Sequence, residues 1–117
     1  MGNSMQAGGE PAFVFGPFEF HPTQQLLARA GVPLRIGNRG SEVLRALLES
    51  AGTTVKKRAL MERVWPDMIV EEGTLRVHIA GLRKLLRDRH NELPYIENIS
   101  GVGYRFAGPV SRPQRLT

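Results

Sequence analysis

The chain has 117 residues, 41% of them hydrophobic, and a net charge of +5, which suits one small domain with a single core. It has no cysteine, which excludes disulfides, thiol catalysis and cysteine-ligated zinc and suits a cytoplasmic chain. Its apolar runs are too short for a transmembrane helix, and Met1–Gly9 has neither the charged start nor the apolar stretch of a secretory signal.

Residues 1–12 are polar and glycine-rich and are expected to be disordered. Short runs follow at Phe13–Phe15, Phe18–Phe20, Gln25–Ala28 and Val32–Ile36, broken by Gly16-Pro17, Pro22 and Gly31. They predict an antiparallel sheet of three or four strands, with Pro33 at an edge or a strand start. Leu44, Leu47, Leu48 and Ala51 then form one apolar stripe at helical spacing, with Asn38 or Ser41 as the cap and Gly52 just past the end. A short second helix spans Lys57–Val64, with Leu60, Met61 and Val64 inward, and Trp65-Pro66 ends it. The loop Asp67–Glu72 is acidic at both ends and apolar between.

The third helix, about Gly73–Arg87, is the long one. Leu75, Ile79, Leu82 and Leu86 share a narrow arc and face the core. The opposite side carries Gly73, Val77, Ala80, Gly81 and Lys84. One flank carries Arg76, Arg83 and Arg87, the other Thr74, His78 and Leu85. Across residues 73–90, Arg76, Arg83, Lys84, Arg87 and Arg89 stand against Asp88 alone. A basic face on one helix is the footprint of a polyphosphate partner; the plainer alternative is a solvated face. Beyond Asn91 and Pro94, Tyr95–Phe106 reads as a tight β-hairpin with Gly101 and Gly103 bracketing Val102 at its tip. If Tyr104 and Phe106 face the core, Arg105 points outward and can enter a narrow minor groove. Residues 111–117 read as a flexible tail or linker, leaving 13–110 as the domain.

A basic helix followed by a protruding hairpin is the recognition half of a winged helix-turn-helix. The predicted class is α+β: an N-terminal antiparallel sheet, a three-helix core and a C-terminal β-hairpin wing. The major groove of B-DNA admits one helix, and the small outward residues let this backbone approach the bases. Val77 can meet a thymine methyl, and Lys84 and the arginine flank can reach phosphates or a guanine edge. Gly81 inside a helix costs about 1 kcal/mol against alanine, which argues for a contact reason. His78 is either a semi-buried, satisfied histidine or a phosphate donor. Thr74 is a helix-start residue, a phosphate contact, or both. His21 and His90 are too remote from His78 to share a metal, so no metal and no cofactor are expected. No catalytic set is evident, so no enzyme activity is expected.

The strings Arg63-Val64-Trp65-Pro66, Thr74-Leu75-Arg76-Val77-His78-Ile79, Leu82-Arg83-Lys84-Leu85-Leu86 and Gly101-Val102-Gly103-Tyr104-Arg105-Phe106 resemble the C-terminal effector domain of OmpR/PhoB-type transcriptional regulators. The resemblance spans about Phe13 to Val110. It implies that Thr74, His78 and Lys84 touch phosphates, that Val77, Ala80 and Gly81 face bases, and that Arg105 reaches the minor groove. It also implies contacts of the Trp65–Glu72 connection with RNA polymerase, through Trp65, Asp67, Met68 and Glu71. Two copies bound head-to-tail on a direct repeat are implied as well, with the isolated domain a monomer. Departures stand out. Gly81 replaces a frequent arginine, Ala80 a polar or basic residue, Arg76 an acidic one, and Ser100 an arginine before the wing glycine. Lys56 and Glu71 stand where good capping residues are common. Base readout is therefore expected to be rearranged.

The family commonly carries a phosphoacceptor receiver domain before this one, as in two-component phosphorelay signalling, and none fits ahead of Phe13. Either the chain is a fragment, or it resembles the subset with the DNA-binding domain first and a sensory domain after it; the tail Pro109–Pro113 favours the second. The competing function is a winged-helix protein-interaction module with weak, non-specific DNA binding, motivated by the reduced side chains at Ala80 and Gly81.

Overall fold

The computed structural model describes residues 11–87 and 94–112. The chain opens with four strands, β1 (Phe13–Phe15), β2 (Phe18–His21), β3 (Leu26–Arg29) and β4 (Val32–Leu34), in the sheet order β1-β2-β3-β4. Neighbours are antiparallel, with Phe13 opposite Phe20, Phe15 opposite Phe18, and Phe20 opposite Leu27. Alternation puts Phe13, Phe15, Phe18 and Phe20 on one face, and all four are buried. Pro33 lies in β4, at the sheet edge, where its missing N–H breaks no ladder.

Three helices follow: α1 (Asn38–Glu49), α2 (Lys57–Val64) and α3 (Glu72–Leu85). The stripe on α1 is buried as its spacing predicts, with Val43, Leu44, Leu47 and Leu48 inside. Its start differs from expectation. The extended cap residue is Gly37, no side chain caps the helix, and Asn38 and Ser41 lie within it. Beyond the C-cap Ser50, the Gly52 N–H donates to the Phe106 carbonyl at 2.9 Å and ties the helix exit to the last strand.

The C-terminal hairpin consists of β6 (Ile96–Ile99) and β7 (Gly103–Phe106). A short strand between α1 and α2, β5 (Thr54–Lys56), joins it to make a second sheet of order β5-β7-β6. The hairpin reading missed this strand, so β7 is central rather than an edge. The turn after Ile99 closes with the Val102 N–H on the Ile99 carbonyl, and Gly101 takes φ +74°, the left-handed conformation that glycine adopts freely. Gly103 is required for a different reason from the one expected. A Cβ there would sit 2.8 Å from the Val55 carbonyl carbon and 2.9 Å from Lys56 Cα, closer still to the Val55 oxygen. It lets β5 lie against β7, and backbone freedom at the tip falls to Gly101 alone.

One core joins the layers. Phe15 meets Tyr95 and Phe106 edge-on, with ring centroids 5.4 and 5.0 Å apart, and Phe18 meets Tyr95 at 5.8 Å. The first sheet is thereby packed against the wing's inner face, beside Leu44, Leu60, Leu75, Ile79 and Leu82. Ser111 and Arg112, expected in the flexible tail, are instead held to the start of the domain. Ser111 exchanges backbone hydrogen bonds with Val14 at 2.8 and 2.9 Å, and the Arg112 guanidinium lies 4.0 Å over the Phe13 ring. Residues 1–10, most of the expected disordered segment, and the tail residues 113–117 fall outside the described residues. Among the described residues no helix is long and apolar enough to cross a membrane.

Candidate nucleic-acid interface

Helix α3 is amphipathic in the sense its sequence requires. Leu75, Ile79 and Leu82 are buried, and Leu86, its C-cap residue, is buried with them. On the opposite side Val77 is 70% exposed, and Ala80, Gly81 and Lys84 are exposed beside it. Burying such a side chain contributes about 1.5 kcal/mol or more, which leaves Val77 with apolar surface to offer a partner. The N-terminal end carries Glu72, which suits the positive end of the helix and lies 3.7 Å from Lys57 Nζ at the start of α2. Glu71 is the cap residue by backbone conformation and makes no side-chain cap bond.

The basic residues divide sharply. Arg76 and Lys84 are exposed, and neither has a side-chain partner among the described residues. Arg83, expected on the outward flank, is half-buried, and its Nε donates to the Ile96 carbonyl of β6 at 3.0 Å. It pins α3 to the wing and has fewer donors left for a ligand. Arg87 lies past the helix C-cap and is exposed; its carbonyl accepts from Arg29 of β3. Arg89 falls outside the described residues. Arg39 works in the same internal way, donating to the Val64 carbonyl at the end of α2 at 2.5 Å. Thr74 is exposed at the start of α3, with its N–H on the Glu71 carbonyl at 2.9 Å.

His78 is half-buried, its ring 5.4 Å from that of Trp65. Packing against a core aromatic fits the semi-buried reading, and its position still borders the outward face. Trp65 itself is 5% exposed and belongs to the core, so it is not available to a partner as the contact-loop reading required. The rest of that loop is outside: Asp67 and Glu71 are exposed, Met68 is largely so, and Ile69 is fully exposed.

On the wing, Arg105 does face outward, as strand period predicts, but not as a lone cation. Its Nε and Nη2 donate to Glu97 Oε1 across the β6–β7 ladder at 2.9 and 2.6 Å. The tip instead presents Val102, 45% exposed. Lys56, where β5 meets α2, is exposed, with no side-chain partner among the described residues. Sequence reasoning also missed Arg35, between β4 and α1. It shares a groove of about 400 Å³ with Val77, His78, Gly81 and Lys84 of α3. No local pattern marks it, because the groove forms only when the loop packs beside α3. Among the described residues no cluster of His, Asp or Glu could hold a metal ion.

A helix with an exposed, side-chain-poor face and unpaired cations, beside a three-stranded wing, defines a winged-helix DNA-binding domain. Residues 31–106 match the family described as "Transcriptional regulatory protein, C terminal". The chain belongs to this family of OmpR/PhoB-type DNA-binding domains, whose members regulate transcription. It is 40% identical over 98 residues to the transcriptional regulator HilA of Salmonella typhimurium, a match covering 84% of this chain and 17% of HilA. Its fold superposes on the DNA-binding domain of Escherichia coli CadC with a TM-score of 0.78 at 25% identity, covering 91% of this chain and 100% of that one. The response regulator DrrB, a Thermotoga maritima OmpR/PhoB homologue, follows at a TM-score of 0.74 and 29% identity, with coverage of 89% and 48%.

Proposed function

We propose that the domain reads double-stranded DNA sequence-specifically to regulate transcription. In this reading α3 lies in the major groove and the β6–β7 turn approaches the adjoining minor groove. The observation that carries it is the outward face of α3: Val77, Ala80 and Gly81 exposed together, with Arg76 and Lys84 unpartnered among the described residues beside them. Val77 and the backbone at Ala80 and Gly81 supply apolar and close-approach contacts to bases, while Thr74, Arg76, His78, Lys84 and Arg87 supply phosphate contacts. Arg105 joins the wing contact only by exchanging Glu97 for phosphate or a base edge. The test is selection from a random duplex library with the purified chain, followed by affinity against salt. Enrichment of a short motif, bound well above random DNA at about 0.15 M salt, supports the reading. Salt-dependent binding without enrichment refutes sequence-specific reading by this domain.

The exposed Met68 and Ile69 support a second, compatible role for the Asp67–Glu71 loop as a protein contact, with RNA polymerase as its partner. Loss of transcriptional activation with retained DNA binding in a Met68→Ser, Ile69→Ser variant tests it. We further propose a folded unit of residues 13–112, working with a sensory or receiver domain of a longer protein and binding direct repeats head-to-tail.

A further inference from the structure

The cations of this domain can be sorted by what they already hold. Arg29, Arg39 and Arg83 donate to backbone carbonyls, while Arg63 and Arg105 pair with carboxylates. Arg35 is exposed and has no side-chain partner among the described residues. It stands on one side of the groove whose other wall is the outward face of α3, where Gly81 and Lys84 lie. Among the described residues no carboxylate lines that groove, so none of them compensates the charges of Arg35 and Lys84 there. Like charges beside one apolar surface repel each other, and a polyanion laid between them relieves the repulsion. The walls contributed by Ile36, Val77 and Leu85 are apolar. They suit the sugars and thymine methyls of a nucleic-acid strand better than a free ion, which needs donors all round. The space over Gly81 is open, since a Cβ there would meet nothing within 4 Å.

We propose that this groove seats a DNA strand and that Arg35 holds one of its backbone phosphates, from outside the helix-turn-helix. The proposal rests on the DNA-reading function above. The occupant is the same duplex, because the groove continues the face that α3 presents to the bases. The contact compensates in part for the small residues at Ala80 and Gly81, giving affinity and register without base information.

The experiment uses the full chain and a selected duplex, with binding followed by fluorescence anisotropy across a salt series. Arg35→Ala is expected to bind about fivefold to tenfold more weakly to selected and random duplex alike, with a slope of log K against log salt shallower by about 0.9. Arg35→Lys keeps the charge and should restore the slope. An unchanged thermal midpoint shows that the fold is intact. Parental affinity and slope in Arg35→Ala would overturn the proposal, as would a loss confined to the selected duplex with no change in slope. If Lys84→Ala weakens binding and Arg35→Ala does not, the groove contact fails and DNA reading by α3 survives. If the parent chain binds no duplex, both fall. Arg35-dependent capture of an acidic peptide in place of duplex would overturn the proposal in favour of a protein ligand.

Discussion

Replacing Gly103 with alanine tests how the wing is built. The new Cβ would lie 2.8 Å from the Val55 carbonyl carbon and 2.9 Å from Lys56 Cα. Carbon atoms pack at about 3.5–4.0 Å, so β5 must retreat by roughly 1 Å. That stretches ordinary ladder hydrogen bonds of about 2.9 Å past their useful range. The β5–β7 pairing covers only Thr54–Arg105, Val55–Tyr104 and Lys56–Gly103, so there is little ladder over which to spread the shift. Overpacking costs about 1–3 kcal/mol, and losing one or two backbone hydrogen bonds adds about 1 kcal/mol each. A destabilisation of about 3 kcal/mol corresponds to a melting point lower by roughly 10–20 °C in a domain of this size. Thermal unfolding followed by circular dichroism, with a urea titration as a check, reads this directly. An alanine variant that melts within about 2 °C of the parent would show that β5 moves aside freely, and would refute the claim that close strand approach fixes this glycine.

Gly81→Ala should do the opposite. Its Cβ meets nothing and the site is inside a helix, so a gain of about 0.5–1 kcal/mol is expected in the same unfolding assay, with any loss of DNA affinity marking a close approach to bases. Glu97→Gln releases Arg105 from its ion pair; if Arg105 reaches DNA, affinity should rise about twofold to fivefold at low salt, whereas an unchanged affinity would remove Arg105 from the interface. At Glu49, burial works to raise the carboxyl pKa, but hydrogen bonds and charge from Arg45 and Arg63 outweigh it and hold the group below its ordinary 4.5. A folded value below the unfolded one stabilises the protein above about pH 4.5, and the contribution is lost as pH falls through the folded value. Glu49→Gln should therefore lower stability at pH 7, by less than about 1 kcal/mol for so exposed a network, and by less at pH 3, where more of the carboxyl is protonated. An equal loss at both values would mean that packing, not charge, is responsible.

Helices with strong stripes were legible in the sequence. The bounds of α2 are those the pattern predicts, and α3 needs only one or two residues of adjustment at each end. The first sheet was legible for the same reason, since alternating phenylalanines between turn residues allow only one buried face. Strand β5 was not, because Thr54-Val55-Lys56 offers only three residues of alternation, too short a pattern to stand out, and becomes a strand by pairing with β7. The arginines were the least legible part. Whether Arg83 meets a phosphate or the Ile96 carbonyl depends on how α3 and β6 approach in space, and residue type alone counts both as positive charge. For the same reason the wing arginine looked available until its cross-strand register with Glu97 was known. Trp65, placed among the loop contacts by the family resemblance, is claimed instead by the core and His78.

The backbone bridge between Val14 and Ser111, with Arg112 seated over Phe13, brings the two ends of the described fold to one corner. A regulatory domain joined ahead of β1 and one joined after Arg112 would therefore start from neighbouring points. To the DNA-contacting surface the two fusion orders are then nearly equivalent, so one winged helix can serve under either chain order without redesign of its interior.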